Sequence, residues 1–166
     1  ILFFQGGFLH SGAHVLLEKM GGLNPPISYS DDEFSVGTSP WDFGTCNGKL
    51  REVVPASPGQ TLKFRILNTG SMYALRISFD GYRMTLVAAD SEPIEPVEVD
   101  EVILHAAERF DVLITIPEDS EIGSRSWIRA DTLESRAQGY QNGIRAILHI
   151  VDPNESTSVV SDDIPD

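Results

Sequence analysis

Cysteine is nearly absent from this sequence. Cys46 stands alone among 166 residues, so no internal disulfide staples the chain and a buried core must carry its stability, unless Cys46 pairs with a segment outside these residues. No apolar run reaches the roughly eighteen residues of a spanning helix. No basic stretch followed by an apolar run and a small-residue cleavage site marks a signal peptide either. Positive charge is scarce. The 12 Lys and Arg residues face 25 Asp and Glu, for a net charge of -13, and a field of that sign repels phosphate backbones and anionic lipid. Nucleic acid and membrane are therefore excluded as partners, while neutral or cationic small molecules are favoured. An initiator Met is missing too, and the start at Ile1 is read as a cut from a longer or processed precursor. What remains is 41% hydrophobic and 22% charged, with 14 Gly and 10 Pro, the make-up of one ordinary globular domain.

Helical periodicity is almost as rare as cysteine. One short helix is predicted near the N-terminus, over residues 12–20, with Ser11 ahead of it as cap, after an apolar strand-like run over 1–10 broken by Gly6-Gly7. Residues 21–44, with Pro25-Pro26 and Asp31-Asp32-Glu33, lack periodicity and read as a long loop, a length that in compact domains usually serves function. Beyond Pro58-Gly59 the texture becomes strict alternation. Leu62, Phe64 and Ile66 take one face and Lys63 and Arg65 the other, the mark of a half-buried strand. The same pattern predicts a strand over Leu75, Ile77 and Phe79, with Asp80-Gly81 turning a hairpin into Met84, Leu86 and Val87. Pro93 and Pro96 suggest a loop, and further strands are expected over 97–104, 110–116, 127–129 and 146–151. Seven or eight short strands with turns between them predict an all-β, antiparallel β-sandwich. It would occupy residues 1–152, with 153–166 as an acidic linker or tail.

The order of the short motifs adds something periodicity cannot. Asn47-Gly48-Lys49, Pro58-Gly59-Gln60, Phe64-Arg65-Ile66-Leu67-Asn68, Ser78-Phe79-Asp80-Gly81, Met84 to Asp90, Pro96-Val97-Glu98-Val99-Asp100, Ala107-Glu108-Arg109-Phe110-Asp111-Val112, Trp127-Ile128-Arg129-Ala130 and Gly143 to Ile150 follow one another. This succession resembles the middle domain of laccase-type multicopper oxidases, and Gly7-Phe8-Leu9-His10 is a weak match to the D-W-Y-H with which that domain begins. Each motif alone is common. The resemblance implies a cupredoxin-like Greek-key sandwich, the second of three, with copper in the flanking domains. It departs from the family's pattern at Phe8, where tryptophan is usual, at Tyr82, where histidine commonly follows Asp-Gly, and at Ala107-Glu108, where Gly-Gln precedes the Arg-aromatic-Asp triplet.

A blue copper site needs a thiolate, two imidazoles and an axial ligand in one place, with cysteine and one histidine on one loop. Cys46 has no histidine near it in sequence, so it is read as a structural thiol ahead of a copper ligand or an interdomain disulfide. No His-x-His pair is present. His10 and His14, four apart, would share a helix face and could hold a metal, but no third donor lines up, and packing or exposure is the reading preferred; His105 and His149 are taken as ordinary sheet histidines. There is no Gly-x-Ser-x-Gly elbow and no Gly-rich phosphate loop. Carboxylate pairs are abundant only because the chain is acidic.

The resemblance implies three substrate-pocket positions. Asp42 matches an acidic residue that accepts a proton or hydrogen bond from a phenol or aniline, although an exposed loop Asp fits equally. Tyr140, inside Gly139-Tyr140-Gln141-Asn142-Gly143, matches an aromatic that stacks on the substrate ring, or it packs over the sheet end. Trp41 would line the same pocket. The expectation is thus a domain holding no copper of its own and inactive alone, within a secreted oxidase that passes electrons from a phenolic or metal-ion reductant to dioxygen. Its partners would be the flanking cupredoxin domains and a small-molecule reductant. A cupredoxin-like structural or binding module without redox activity is the alternative. Asn154-Glu155-Ser156 supplies a glycan acceptor motif in keeping with secretion.

Overall fold

The structure, a computed structural model, describes residues 1–7, 43–70, 73–133 and 143–154. The helix predicted over 12–20, most of the loop predicted over 21–44 and the tail from 155 onward lie outside the described residues. Within them the chain forms β1 (Leu2–Gly7), β2 (Phe43–Cys46), β3 (Arg51–Ala56), β4 (Thr61–Asn68), β5 (Leu75–Phe79), β6 (Met84–Ala89), β7 (Glu92–Val99), β8 (Glu101–Leu104), β9 (Arg109–Thr115), β10 (Arg125–Thr132) and β11 (Gly143–Ile150).

Two sheets result, a six-stranded one ordered β2-β1-β4-β9-β6-β7 and a five-stranded one ordered β3-β11-β10-β5-β8. The expected Greek-key sandwich is the observed architecture. Its pairings are antiparallel apart from β1 with β4 and β3 with β11, which run parallel. Alternation sends one face of each sheet inward. Leu2, Phe4, Phe64, Ile66, Met84, Val112 and Ile114 from the larger sheet meet Leu75, Ile77, Phe79, Leu104, Ile128, Ile144, Leu148 and Ile150 from the smaller, all buried. Each such side chain contributes about 1.5–3 kcal/mol. Phe64 and Phe79 join the layers, with ring centroids 4.9 Å apart.

Several expectations are corrected by the pairing. Asp80-Gly81 does not close a hairpin. Gly81 has φ 81° and Tyr82 N–H reaches the Phe79 carbonyl, but both edges of β5 are already taken by β10 and β8, so the turn carries the chain across to the other sheet. The run expected as one strand over 97–104 breaks at Asp100 for the same reason, with β7 in the larger sheet and β8 in the smaller. Pro93 and Pro96 lie in β7, an edge strand whose outer backbone groups need no partner, rather than in a loop. The true hairpin is β6–β7, turned by Asp90 and Ser91, both at positive φ, 46° and 81°. Gly6 and Gly7 belong to β1 rather than breaking it, and pair with Gly44 and Phe43 of β2.

Two asparagines of the motifs fasten neighbouring elements to each other. Asn47 and Gly48, at φ 52° and 78°, form the two-residue turn between Cys46 and Lys49. The Asn47 side chain accepts from Phe3 N–H at 2.9 Å and donates to the Ile1 carbonyl at 3.1 Å, fastening β1 beside the turn. Asn68 is buried at the end of β4. Its amide donates to the carbonyls of Tyr73 (2.8 Å) and Leu104 (3.1 Å), and its oxygen accepts from Gly70 N–H (3.0 Å). One side chain thereby ties the larger sheet to β8 of the smaller.

Candidate functional site

β2 and β11 begin side by side, one at the edge of the larger sheet and the other within the smaller. Gly44 lies directly on the Ile144 side chain, so closely that a Cβ there would overlap it; glycine is what lets the two strands meet. Opposite Gly143 stands Asp131, near the end of β10, and Arg145 pairs with it at 2.7 Å. A Cβ on Gly143 would run into that ion pair. Arg76 sits across from Asp131 in register and faces Glu101 at 3.3 Å. The junction therefore combines a close contact, Gly44 on Ile144, with a band of alternating charge.

Trp41 and Asp42 immediately precede β2, and Tyr140 belongs to the segment that leads from β10 into β11. All three lie outside the described residues, as do His10 and His14. The two strands that these segments lead into do start next to each other. That relation was not visible from sequence, where Asp42 and Tyr140 are almost a hundred positions apart.

Cys46 faces inward from β2 and is fully buried, as expected of a structural thiol. Burial first, then the negative charge of Glu52, pushes the pKa of its thiol up to about 12, which keeps it a neutral thiol. The two described histidines lie elsewhere. His105 is exposed in the turn after β8, its N–H held by Glu108 at 2.6 Å. His149 is on β11 opposite Arg125 and Pro55, and burial together with the Arg125 charge holds its imidazole below the ordinary 6.5. No group of three His, Cys, Asp or Glu side chains among the described residues could hold a metal ion. The described donors thus do not fit a copper centre.

Residues 13–150 match the family model of multicopper oxidases. The chain belongs to the multicopper oxidase family. Among relatives of this multicopper oxidase chain, Laccase-4 of Thanatephorus cucumeris is 30% identical over 121 residues, spanning 65% of this chain and 22% of that protein. The multicopper oxidase MmcO of Mycobacterium tuberculosis is 42% identical over 60 residues, 36% of this chain and 12% of that protein. Among solved structures, Fet3p, a multicopper oxidase that functions in iron import, superposes with a TM-score of 0.73 at 16% identity over 98% of this chain and 30% of its own. The laccase from Botrytis aclada does so with 0.59 at 19% identity, over 98% of this chain and 31% of its own. These likenesses show the fold, a cupredoxin-like sandwich. The chain spans no more than about a third of any of these four proteins.

Proposed function

We propose that this chain is the middle cupredoxin-like domain of a laccase-type multicopper oxidase, bounded at about residue 152, which packs against flanking domains and lends one wall to the reductant pocket. The observation that carries the reading is the coverage. Almost the whole chain superposes on less than a third of an intact oxidase, the share of one domain in three. The described donor set, which fits no copper, supports assigning the metal to the flanking domains. There it would accept electrons from the reductant and pass them to dioxygen.

The part left to this chain is recognition. Asp42 accepts a hydrogen bond or proton from a phenol or aniline, Tyr140 stacks on its ring, and Trp41 closes the wall. The adjacency of the strands that follow them, with Gly44 on Ile144, supports a common pocket. Secretion belongs to the same reading, and Asn154 is exposed and braced by Asp152 at 2.8 Å, open to a glycan.

Asp42→Asn in the full-length protein, assayed with a phenol and with a non-protic electron donor, tests the reading. A charged acceptor is worth about 1.5–3 kcal/mol, so kcat/KM for the phenol falls at least about tenfold while the other donor and the copper content are unchanged. Loss of copper on substitution, or equal effects on both donors, would refute the pocket role. A full-length protein that binds no copper would instead mark a non-redox module.

A further inference from the structure

The outer face of the six-stranded sheet holds a concavity of about 620 Å³ whose charge is opposite to that of the molecule. It lies over β1, β4, β9, β6 and the start of β7. Its cations are Lys63, Arg65 and Arg109, and its single carboxylate is Asp111. Lys63 and Arg65 both turn to that carboxylate, at 2.8 and 3.7 Å. The Arg109 guanidinium donates to two neutral acceptors, Ser91 Oγ and the Asp90 carbonyl, both at 3.0 Å, while the Asp90 carboxylate, outside the lining, accepts from the Arg109 backbone N–H at 3.1 Å. Three cations against one carboxylate leave an excess of two positive charges, in a chain of net charge -13. Strand alternation puts Lys63 and Arg65 on the face away from Phe64 and Ile66, but it does not show that Arg109 and Asp111 of β9 stand beside them.

Apart from Ser91, the rest of the lining is apolar and shaped. Phe3, Leu67 and Arg109 form one cross-strand row, and Arg65, Asp111, Ala88 and Pro93 form the next. Registers on both sides of β6 slip between Leu86 and Ala88. That β-bulge turns Val87 and Ala88 alike toward the concavity and bends the sheet around it, as bulges do beside binding sites. Phe3 remains 40% exposed. The volume is that of small-molecule sites, which pair apolar walls with a few convergent polar groups.

We propose that this concavity is a binding site for an aromatic carboxylate, whose ring lies between Phe3, Leu67 and Val87 while its carboxylate bridges Arg109 and Arg65. The planar guanidinium fork suits two carboxylate oxygens. Charge complementarity selects the occupant: a neutral aromatic would leave the excess cations unmatched, and a cation would be repelled by them. Binding involves no electron transfer and is independent of the oxidase reading.

The test titrates 2-naphthoate, which has no phenolic hydroxyl to oxidise, into the full-length protein by calorimetry, with 2-naphthalenemethanol as its neutral counterpart. The acid binds at one site, at least about tenfold more tightly than the alcohol, and more weakly as salt rises. Arg109→Gln weakens the acid about tenfold and leaves the alcohol unchanged. Asp111→Asn removes the competing carboxylate and tightens the acid, a gain that misfolding cannot mimic. Absence of binding, as when a segment of the same polypeptide fills the concavity, overturns the proposal. So do equal affinities for acid and alcohol, or an Asp111→Asn variant that binds no better.

Discussion

Ala107 stands at φ 71° in the turn from β8 to β9, where a Cβ presses on the following carbonyl. The turn is over-determined. Ala107 N–H donates to the Asn68 carbonyl at 2.9 Å, Glu108 N–H to the His105 carbonyl at 3.1 Å, and the Glu108 carboxylate accepts from His105 N–H at 2.6 Å. A left-handed conformation costs a non-glycine residue about 1–2 kcal/mol, held here by those bonds. Ala107→Gly removes that strain and adds about 0.5–1 kcal/mol of unfolded-state entropy. Because Ala107 is exposed, little burial is lost with its methyl group. The net expectation is a stabilisation of about 0.5–1 kcal/mol, read as a higher urea midpoint with an unchanged slope and a melting temperature raised by about 2–3 °C. Ala106→Gly is the control: Ala106 has no positive φ and should lose about 0.5–1 kcal/mol. An Ala107→Gly protein no more stable than its parent would refute the reasoning.

Further outcomes follow from a buried amide, a buried thiol and a half-buried imidazole. Asn68→Leu removes the hydrogen bonds to the buried Tyr73 and Leu104 carbonyls and to the half-buried Gly70 N–H; at about 1–3 kcal/mol for each partner lost and less than full additivity, urea unfolding should show a loss of about 3–5 kcal/mol. Cys46, raised to about 12 by burial and then by Glu52, should resist a thiol reagent at pH 8 and react only on unfolding. Its folded pKa lies above the unfolded 9.0, so it contributes stability below pH 9 that is lost as pH rises from there toward 12; Cys46→Ala should flatten that alkaline fall. His149 has the opposite sign. Its folded pKa is depressed below 6.5 by burial and Arg125, so the unfolded chain binds the proton first and stability drops as pH falls below about 6.5. His149→Gln should remove that part of the acid slope in pH-dependent unfolding.

Much of the sandwich could be read along the chain because burial of a strand face is a local, period-two signal. Phe64 and Ile66 buried, with Lys63 and Arg65 exposed, are where alternation put them. The Asn47-Gly48 turn and the Gly81 corner have the backbone conformations their residues favour. Less legible were features that depend on neighbours. Pro93 and Pro96 looked like loop residues, yet an edge strand accepts them. Asp90-Ser91 lacks a glycine and so escaped notice as a hairpin turn, although Arg109 holds it from the adjacent strand. The segments bearing Trp41, Asp42 and Tyr140 were chosen by family resemblance, and nothing in their spacing revealed that Gly44 and Ile144 touch.

The sequence by itself determined the all-β class, the inward-facing residues and the family, since alternation, turn chemistry and motif order are all written in chain order. Tertiary structure alone decided which sheet each strand joins. The same alternating pattern suits either layer, and a strand such as β5, once hydrogen-bonded on both edges, forces its successor across the sandwich. It also decided that Lys63, Arg65, Arg109 and Asp111 share one concavity, because charges on separate strands meet only through register.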